Sequence, residues 1–142
     1  MDFGVINWFA VLVCVVVSML TGAVWYHPKT FFNIWWKGIG KKEGDVPGTD
    51  NMTMTWILTV LAGVVQAVAM AFMVPAVAGL MSSGVNMATG ILTGFMIWLG
   101  FVAPTYLVNK LFAGHGFSVW LIEIGNHLLN FVIFGAILGA WR

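Results

Sequence analysis

Hydrophobic residues run along this chain in four long stretches that short polar segments separate. Each stretch holds roughly 24 residues, which as an α-helix extend for about 36 Å and exceed the roughly 30 Å hydrocarbon core of a bilayer. The pattern therefore predicts an all-α integral membrane protein with four transmembrane helices. We expect residues 1–142 to form a single domain with spans at about 3–26, 55–80, 87–111 and 118–141.

The loop between the first two spans has a different pattern. In residues 28–39 aromatic side chains share one helical face and lysines the other, which predicts an interfacial amphipathic helix at the level of the lipid headgroups. A lid over a vestibule is the alternative interpretation. Pro47–Gly48 predicts a turn, and Asp50 or Asn51 is expected to cap the second span. The expected interfacial anchor consists of Phe31, Phe32, Trp35 and Trp36.

Composition narrows the class of protein further. With 61% hydrophobic and 8% charged residues the chain is far from a soluble domain, and its net charge of +1 argues against a nucleic-acid partner. The single cysteine, Cys14, cannot form an internal disulfide. We expect lipid as the surroundings, and as a partner either a second copy or another membrane protein. No phosphate loop or serine nucleophile motif is present, so an enzymatic role is not expected.

The distribution of basic residues predicts the orientation in the membrane. Arg142 lies on one side and five lysines lie on the other. The positive-inside rule places the first and third loops in the cytoplasm and both termini outside. We expect a bacterial inner membrane. The five lysines are Lys29, Lys37, Lys41, Lys42 and Lys110.

A polar stripe inside the fourth span is the main candidate site. Its members, Glu123, Asn126, His127 and Asn130, fall within about a 100° arc of one helix face. Ionisable groups at this depth are costly, so the stripe must face protein or water. The same cluster is expected to include Gln66, the only amide deep in the second span. Possible contributors from the cytoplasmic side are His27, Asn109 and His115.

Three interpretations of the stripe remain open at this point. Glu123 and His127 could satisfy each other as structural contacts, form a proton or ion relay, or bind a metal, haem or pigment through His127. The pair supplies only two metal ligands where a site needs three or four, so no cofactor is expected beyond lipid. The leading function is a non-enzymatic small membrane protein, acting as a homo-oligomer or as an accessory subunit of a larger complex. The alternative is a small-solute, ion or proton transporter or channel that uses the Glu/His pair.

Small residues predict how the spans pack. Gly125, Gly135 and Gly139 lie opposite the polar stripe, so the fourth span should be contacted on two sides, as in a central helix or a helix at a subunit interface. Pro104 should interrupt the third span, with Thr105 helping to satisfy the freed backbone.

Several of these segments resemble a bacterial and fungal membrane family known as domain of unknown function 1761. The resemblance covers nearly the whole chain in order, and it implies a compact four-helix membrane protein and no activity. His127 falls on a histidine of that family, whereas Glu123 falls where a neutral residue is expected, so the Glu/His pair would be particular to this chain. The matching segments are Gly22–Pro28 with Phe31 and Trp35–Trp36, Asn51–Met52, Trp98–Phe101, Trp120–Ile122, His127–Leu129 and Gly135–Trp141.

Overall fold

The fold is all-helical, as predicted. A computed structural model describes residues 3–46 and 51–141, so the expected turn at Pro47–Gly48 and the candidate cap Asp50 lie outside the described residues. Within the described ranges there is no β-strand. A single 3-10 turn is followed by six α-helices: α1 Trp8–Trp25, α2 Phe32–Gly38, α3 Met52–Leu80, α4 Met87–Ile97, α5 Ala103–Phe112 and α6 Phe117–Ala140.

Four segments are long and apolar enough to cross a membrane, which confirms the predicted class of protein. They are α1, α3, α6 and the segment Met87–Phe112, in which α4 and α5 are continuous through a π-helical turn at Trp98–Val102. Pro104 lies in the first turn of α5, directly after this irregularity. The Thr105 hydroxyl donates to the Phe101 carbonyl at 2.5 Å. The carbonyl four residues before Pro104 is that of Gly100, so the expected role of Thr105 at the freed carbonyl stays a prediction.

Asparagine side chains set where three of the helices begin. Asn7 Oδ1 accepts from the Ala10 amide, and Asn51 Oδ1 from the Met54 amide. Asn86 and Thr89 form a reciprocal capping box before α4. Each cap satisfies a backbone N–H that has no partner inside the helix. The first span therefore begins at Trp8 rather than at residue 3, and the second begins after Asn51.

Helix α6 is the centre of the bundle. It packs against α1, α2, α3, α4 and α5. Of an 18-residue apolar stretch of α6, 44% is buried, against 17–22% of the corresponding stretches of the other three spans. Its contact with α4 depends on glycine: a Cβ on Gly90 would overlap the Gly135 carbonyl oxygen, and one on Gly94 would overlap that of Phe131. Small residues let these two backbones touch, as membrane helices without a hydrophobic driving force require.

The two halves of the bundle differ in character. In the half away from α2, a continuous apolar core fills the space between α1, α3 and α6, with Cys14, Met70 and Phe134 almost fully buried. In the half near α2, the polar stripe faces the neighbouring helices and two cavities replace the core. The candidate site therefore lies between α2 and the apolar core.

Candidate functional site: the polar stripe of α6 and its two cavities

Two polar pairs connect α5 to α6. The Lys110 ammonium lies 2.9 Å from Glu123 Oε2, and the Tyr106 hydroxyl lies 2.8 Å from His127 Nε2. Lys110 follows Tyr106 by four residues and Glu123 precedes His127 by four, so each helix presents its pair on one face. The short connection after α5 makes the two helices antiparallel, which brings the members of each pair to the same height.

The sequence-based idea that Glu123 and His127 satisfy each other is wrong. Each side chain has its own partner on α5, and Glu123 has a second on α2, where Trp35 Nε1 donates to Oε1 at 2.9 Å. Glu123 Oε2 makes only the ion pair with Lys110 among the described residues, in a geometry that is not that of a hydrogen bond. Both side chains are mostly buried, with 14% of Lys110 and 10% of Glu123 exposed, so this is an ion pair with little solvent screening.

The other half of the stripe faces α1. Asn130 Nδ2 donates to Asn126 Oδ1 at 3.3 Å, and the Thr21 hydroxyl contacts Asn130 Oδ1. Asn126 is 7% exposed, and its Nδ2 is buried without a hydrogen-bond partner in the described part of the chain. A buried donor of this kind is uncommon in folded proteins and calls for a physical explanation.

Tryptophan side chains surround the same segment of α6. The indole N–H of Trp25 donates to the Ile122 carbonyl at 2.9 Å, and that of Trp98 donates to the Ile124 carbonyl at 2.8 Å. We call Trp25, Trp35 and Trp98 the tryptophan collar, because they approach residues 122–124 from three different elements. A backbone carbonyl has two lone pairs, so these oxygens accept the indoles in addition to their helical hydrogen bonds.

Two cavities adjoin the stripe. The first, of about 470 Å³, lies between α1, α3 and α6; we call it the α1–α3 cavity, and its polar wall includes Gln66, Asn126, His127 and Asn130. The second, of about 510 Å³, is the α2–α5 cavity, which the Lys110–Glu123 pair and Trp35 line.

Tyr26 and His127 line both cavities, so the two spaces meet at these side chains. Burial raises the pKa of the Tyr26 phenol, and the charges of Glu123 and Tyr106 raise it further. Tyr26, the residue after α1, therefore keeps its proton at neutral pH and is available there as a hydrogen-bond donor.

The structure brings only some of the predicted site residues together. It places Gln66 on the same cavity wall as Asn126, His127 and Asn130. His27 and Asn109 are exposed, His115 is half-buried, and none of the three lines either cavity. Asn109 instead lines a smaller pocket together with Tyr106 and Lys110, the α5 partners of the stripe, and a role for the three predicted contributors stays a prediction.

The aromatic residues of the first loop also differ in part from expectation. Trp36 is only 7% exposed and donates to the Lys42 carbonyl, and Trp35 donates to Glu123, so both indoles face the protein rather than lipid. Phe32 stacks on Trp36 at 5.2 Å, while Phe31 is exposed. The first loop thus contains the predicted short helix, but of its four expected anchors Trp35 docks α2 onto α6 and Trp36 binds back to the loop itself. Anchoring of the loop in the membrane surface stays a prediction.

Sequence reasoning missed Tyr106, Lys110, Thr21 and the collar as partners of the stripe. A usable signal was present for the first two: two polar residues four apart at the end of one span face two polar residues four apart at the start of the next. In an antiparallel helix pair, two polar residues four apart on one helix can pair with two polar residues four apart on the other. No comparable spacing signal identifies the tryptophans, whose partners are backbone carbonyls.

Nothing in this geometry assigns a metal. Across residues 3–46 and 51–141, no three His, Cys, Asp or Glu side chains lie together as a metal site would require. The expectation of no cofactor beyond lipid stays a prediction.

Comparison with known proteins gives one match. No curated protein and no solved structure matches the chain. The model of a family described as protein of unknown function (DUF1761) matches residues 9–139, which is most of the chain and includes all four spans. The segments that carried the resemblance include Trp25, Trp35 and Trp98, which are the tryptophan collar, and His127, which bonds Tyr106. By its sequence, this four-helix membrane protein belongs to the DUF1761 family.

Proposed function

We propose that this protein is a non-enzymatic transporter of a small solute, which moves between the α1–α3 cavity and the α2–α5 cavity. The observation that carries the proposal is that the same two side chains, Tyr26 and His127, line both cavities. Both cavities are large enough for a small organic molecule.

The two cavities have different surroundings. The α2–α5 cavity lies under α2 and contains the charged pair Lys110–Glu123, which suits contact with water. The α1–α3 cavity has its rim on the flank of the bundle, where Trp56 is 58% exposed and Thr59 and Ala62 are exposed as well. In a bilayer this flank faces lipid. The arrangement supports exchange of a solute between the membrane interior and the aqueous end near α2.

The far end of the path is closed. Asn130 lies about 20 Å along α6 from Phe117, and beyond it Phe131, Phe134 and Met70 belong to the packed apolar core. Transporters commonly bind their substrate near the middle of the membrane and open to one side at a time. The structure is consistent with a state that is open on the α2 side only.

The other function expected from the sequence, a homo-oligomer or accessory subunit, has its own support. Glu123, His127 and Asn130 already have partners within the chain, as side chains with a purely structural role would. The native mass of the purified protein decides whether a second copy or another protein is bound. The proposed orientation, with both termini outside a bacterial inner membrane, rests on the lysine distribution alone.

Transfer of an uncharged fluorescent dye tests the transporter. Proteoliposomes are loaded with Nile red, and its extraction into aqueous cyclodextrin is followed by fluorescence. We expect the protein to accelerate extraction severalfold over empty liposomes. Gly22→Leu should abolish the acceleration, because Gly22 lines the α1–α3 cavity and a larger side chain there enters open space. Gly79→Leu is the matched control, since Gly79 also has open surroundings but lines neither cavity.

A second measurement covers protons and ions. Quenching of a pH-sensitive dye in the same vesicles reports dissipation of a pH gradient, and Glu123→Gln in a stably folded variant should stop it if Glu123 carries the proton. A parent protein that neither accelerates dye extraction nor dissipates the gradient would overturn the transporter and leave the oligomer or accessory subunit.

A further inference from the structure

We infer that the α1–α3 cavity binds an uncharged amphiphile whose oxygen accepts a hydrogen bond from Asn126 Nδ2. The inference deepens the proposed function, on which it rests, by naming the chemical class of the solute. Binding can be measured without transport, so the two can fail separately.

The space for the apolar part of the ligand comes from small side chains. Gly22 and Ala23 of α1 and Ala62 and Gly63 of α3 line the cavity, and nothing lies within 4 Å of the position where a Cβ on Gly22 would stand. At Gly63 the helices α1 and α3 are in contact, since a Cβ there would lie 3.6 Å from the Ser18 hydroxyl oxygen. Gly22 instead faces open space, which is part of a cavity of about 470 Å³. Met19 adds a flexible apolar wall of the kind that adapts to different ligand shapes.

The polar part of the ligand is indicated by an accounting of hydrogen bonds. Asn126 Oδ1 accepts from Asn130, Asn130 Oδ1 is contacted by Thr21, and His127 Nε2 is engaged with Tyr106. Among these buried groups, the donor that is left over is Asn126 Nδ2, on a side chain that is 93% buried. The Tyr26 hydroxyl and the Gln66 amide line the same cavity as further donors. A ligand oxygen, from a hydroxyl or a carbonyl group, would complete the set.

The charge of the ligand follows from what the cavity lacks. Among the residues that the structure describes, its walls include no Asp, Glu, Lys or Arg, and the titratable groups that line it are Tyr26 and His127. The Lys110–Glu123 pair lines only the other cavity, where its two charges compensate each other. An ionised headgroup in the α1–α3 cavity would lose its hydration without gaining a counter-charge, which is strongly unfavourable. An uncharged headgroup carries no such penalty.

Photoaffinity labelling tests the site. Proteoliposomes are irradiated with three probes that carry the same diazirine-bearing ten-carbon chain: the alcohol, the hydrocarbon and the carboxylate. Labelled peptides are identified by mass spectrometry. We expect saturable labelling of residues 18–26 and 56–66 by the alcohol probe, reduced at least fivefold by excess 1-decanol but not by decane, and weak labelling by the carboxylate.

Two variants address different parts of the site. Asn126→Leu keeps the side-chain size but removes the donor, and should remove the preference for the alcohol over the hydrocarbon. Gly22→Leu should reduce labelling by all three probes, whereas Gly79→Leu should leave it unchanged. Far-ultraviolet circular dichroism confirms that each variant is folded.

Each outcome has a defined meaning. Equal, unsaturable labelling by all three probes would show that only lipid chains occupy the groove, and a preference for the carboxylate would refute an uncharged ligand; either result overturns the inference. Saturable labelling by the alcohol in a protein that fails the dye-extraction assay would sustain the binding site and overturn transport. Dye extraction without saturable labelling would sustain transport and overturn the binding site.

Discussion

The ion pair between Lys110 and Glu123 makes the sharpest prediction about stability. At 2.9 Å its Coulomb attraction is about 6 kcal/mol for an effective dielectric constant of about 20. Burial of the two charges costs several kcal/mol for each ion, so the pair as a whole contributes little net stability. Removal of one partner is strongly destabilising, because the remaining charge stays buried and loses the attraction of its counter-charge.

We therefore expect a large effect of each single change and a small effect of both. Lys110→Met and Glu123→Gln should each lower the free energy of unfolding by about 3–5 kcal/mol, whereas the double variant should lie within about 1 kcal/mol of the parent. Glutamine is the suitable replacement because its carbonyl oxygen still accepts from Trp35. Exchange of the two charged residues, Lys110→Glu with Glu123→Lys, should restore part of the stability lost in the single variants.

Unfolding by sodium dodecyl sulfate in mixed micelles, followed by circular dichroism, measures these free energies. Glu43→Gln is the matched control, since it removes a carboxylate from an exposed position in the first loop. Single variants that each change stability by less than about 0.5 kcal/mol would show that solvent screens the pair. Additive single and double variants would show that the two charges do not interact, and either result would refute the reasoning.

Three further predictions address packing, docking and topology. Gly90→Ala should destabilise the bundle by about 1–3 kcal/mol in the same unfolding assay, because its methyl group meets the α6 backbone, whereas Gly79→Ala should be nearly neutral. Trp35→Phe removes the donor to Glu123 and should speed tryptic cleavage of the first loop severalfold; an unchanged rate would show that this bond does not hold α2. In intact cells, cysteine at Val46 should be protected from impermeant thiol reagents and cysteine at Gly84 labelled, and the reverse would invert the proposed orientation.

Much of the fold was predictable because it depends on local properties of the chain. The length of an apolar stretch determines whether a helix can cross the bilayer, and the four spans follow from it. Asn51 was recognisable as a cap from its place before an apolar run, and the interruption near Pro104 from the missing N–H. The glycines of the fourth span indicated a close helix contact, within the bundle or with a second subunit, and the structure places Gly135 and Gly139 against α4.

The partners of the polar stripe were harder to predict from the sequence. Helical periodicity gives the direction of each side chain around its own axis, but not the rotation or height of the helix that it meets. Glu123 and His127 lie four residues apart on one helix, which suggested that they pair with each other, yet their partners Lys110 and Tyr106 are on α5. The loop tryptophans were expected to face lipid for a similar reason: an amphipathic face is the same whether it covers lipid or protein.

The sequence by itself determined that this chain is a four-helix membrane protein of the DUF1761 family with a costly polar stripe in its last span. Only the tertiary structure decided that Lys110 compensates Glu123, that Tyr26 and His127 lie between two cavities, and that Asn126 keeps a donor without a partner. The physical reason is that a cavity, or a hydrogen-bond donor without a partner, exists only where several packed helices leave a space unfilled or a polar group unpaired. Both features depend on the relative positions of several helices at once, whereas a membrane span depends on one stretch of residues.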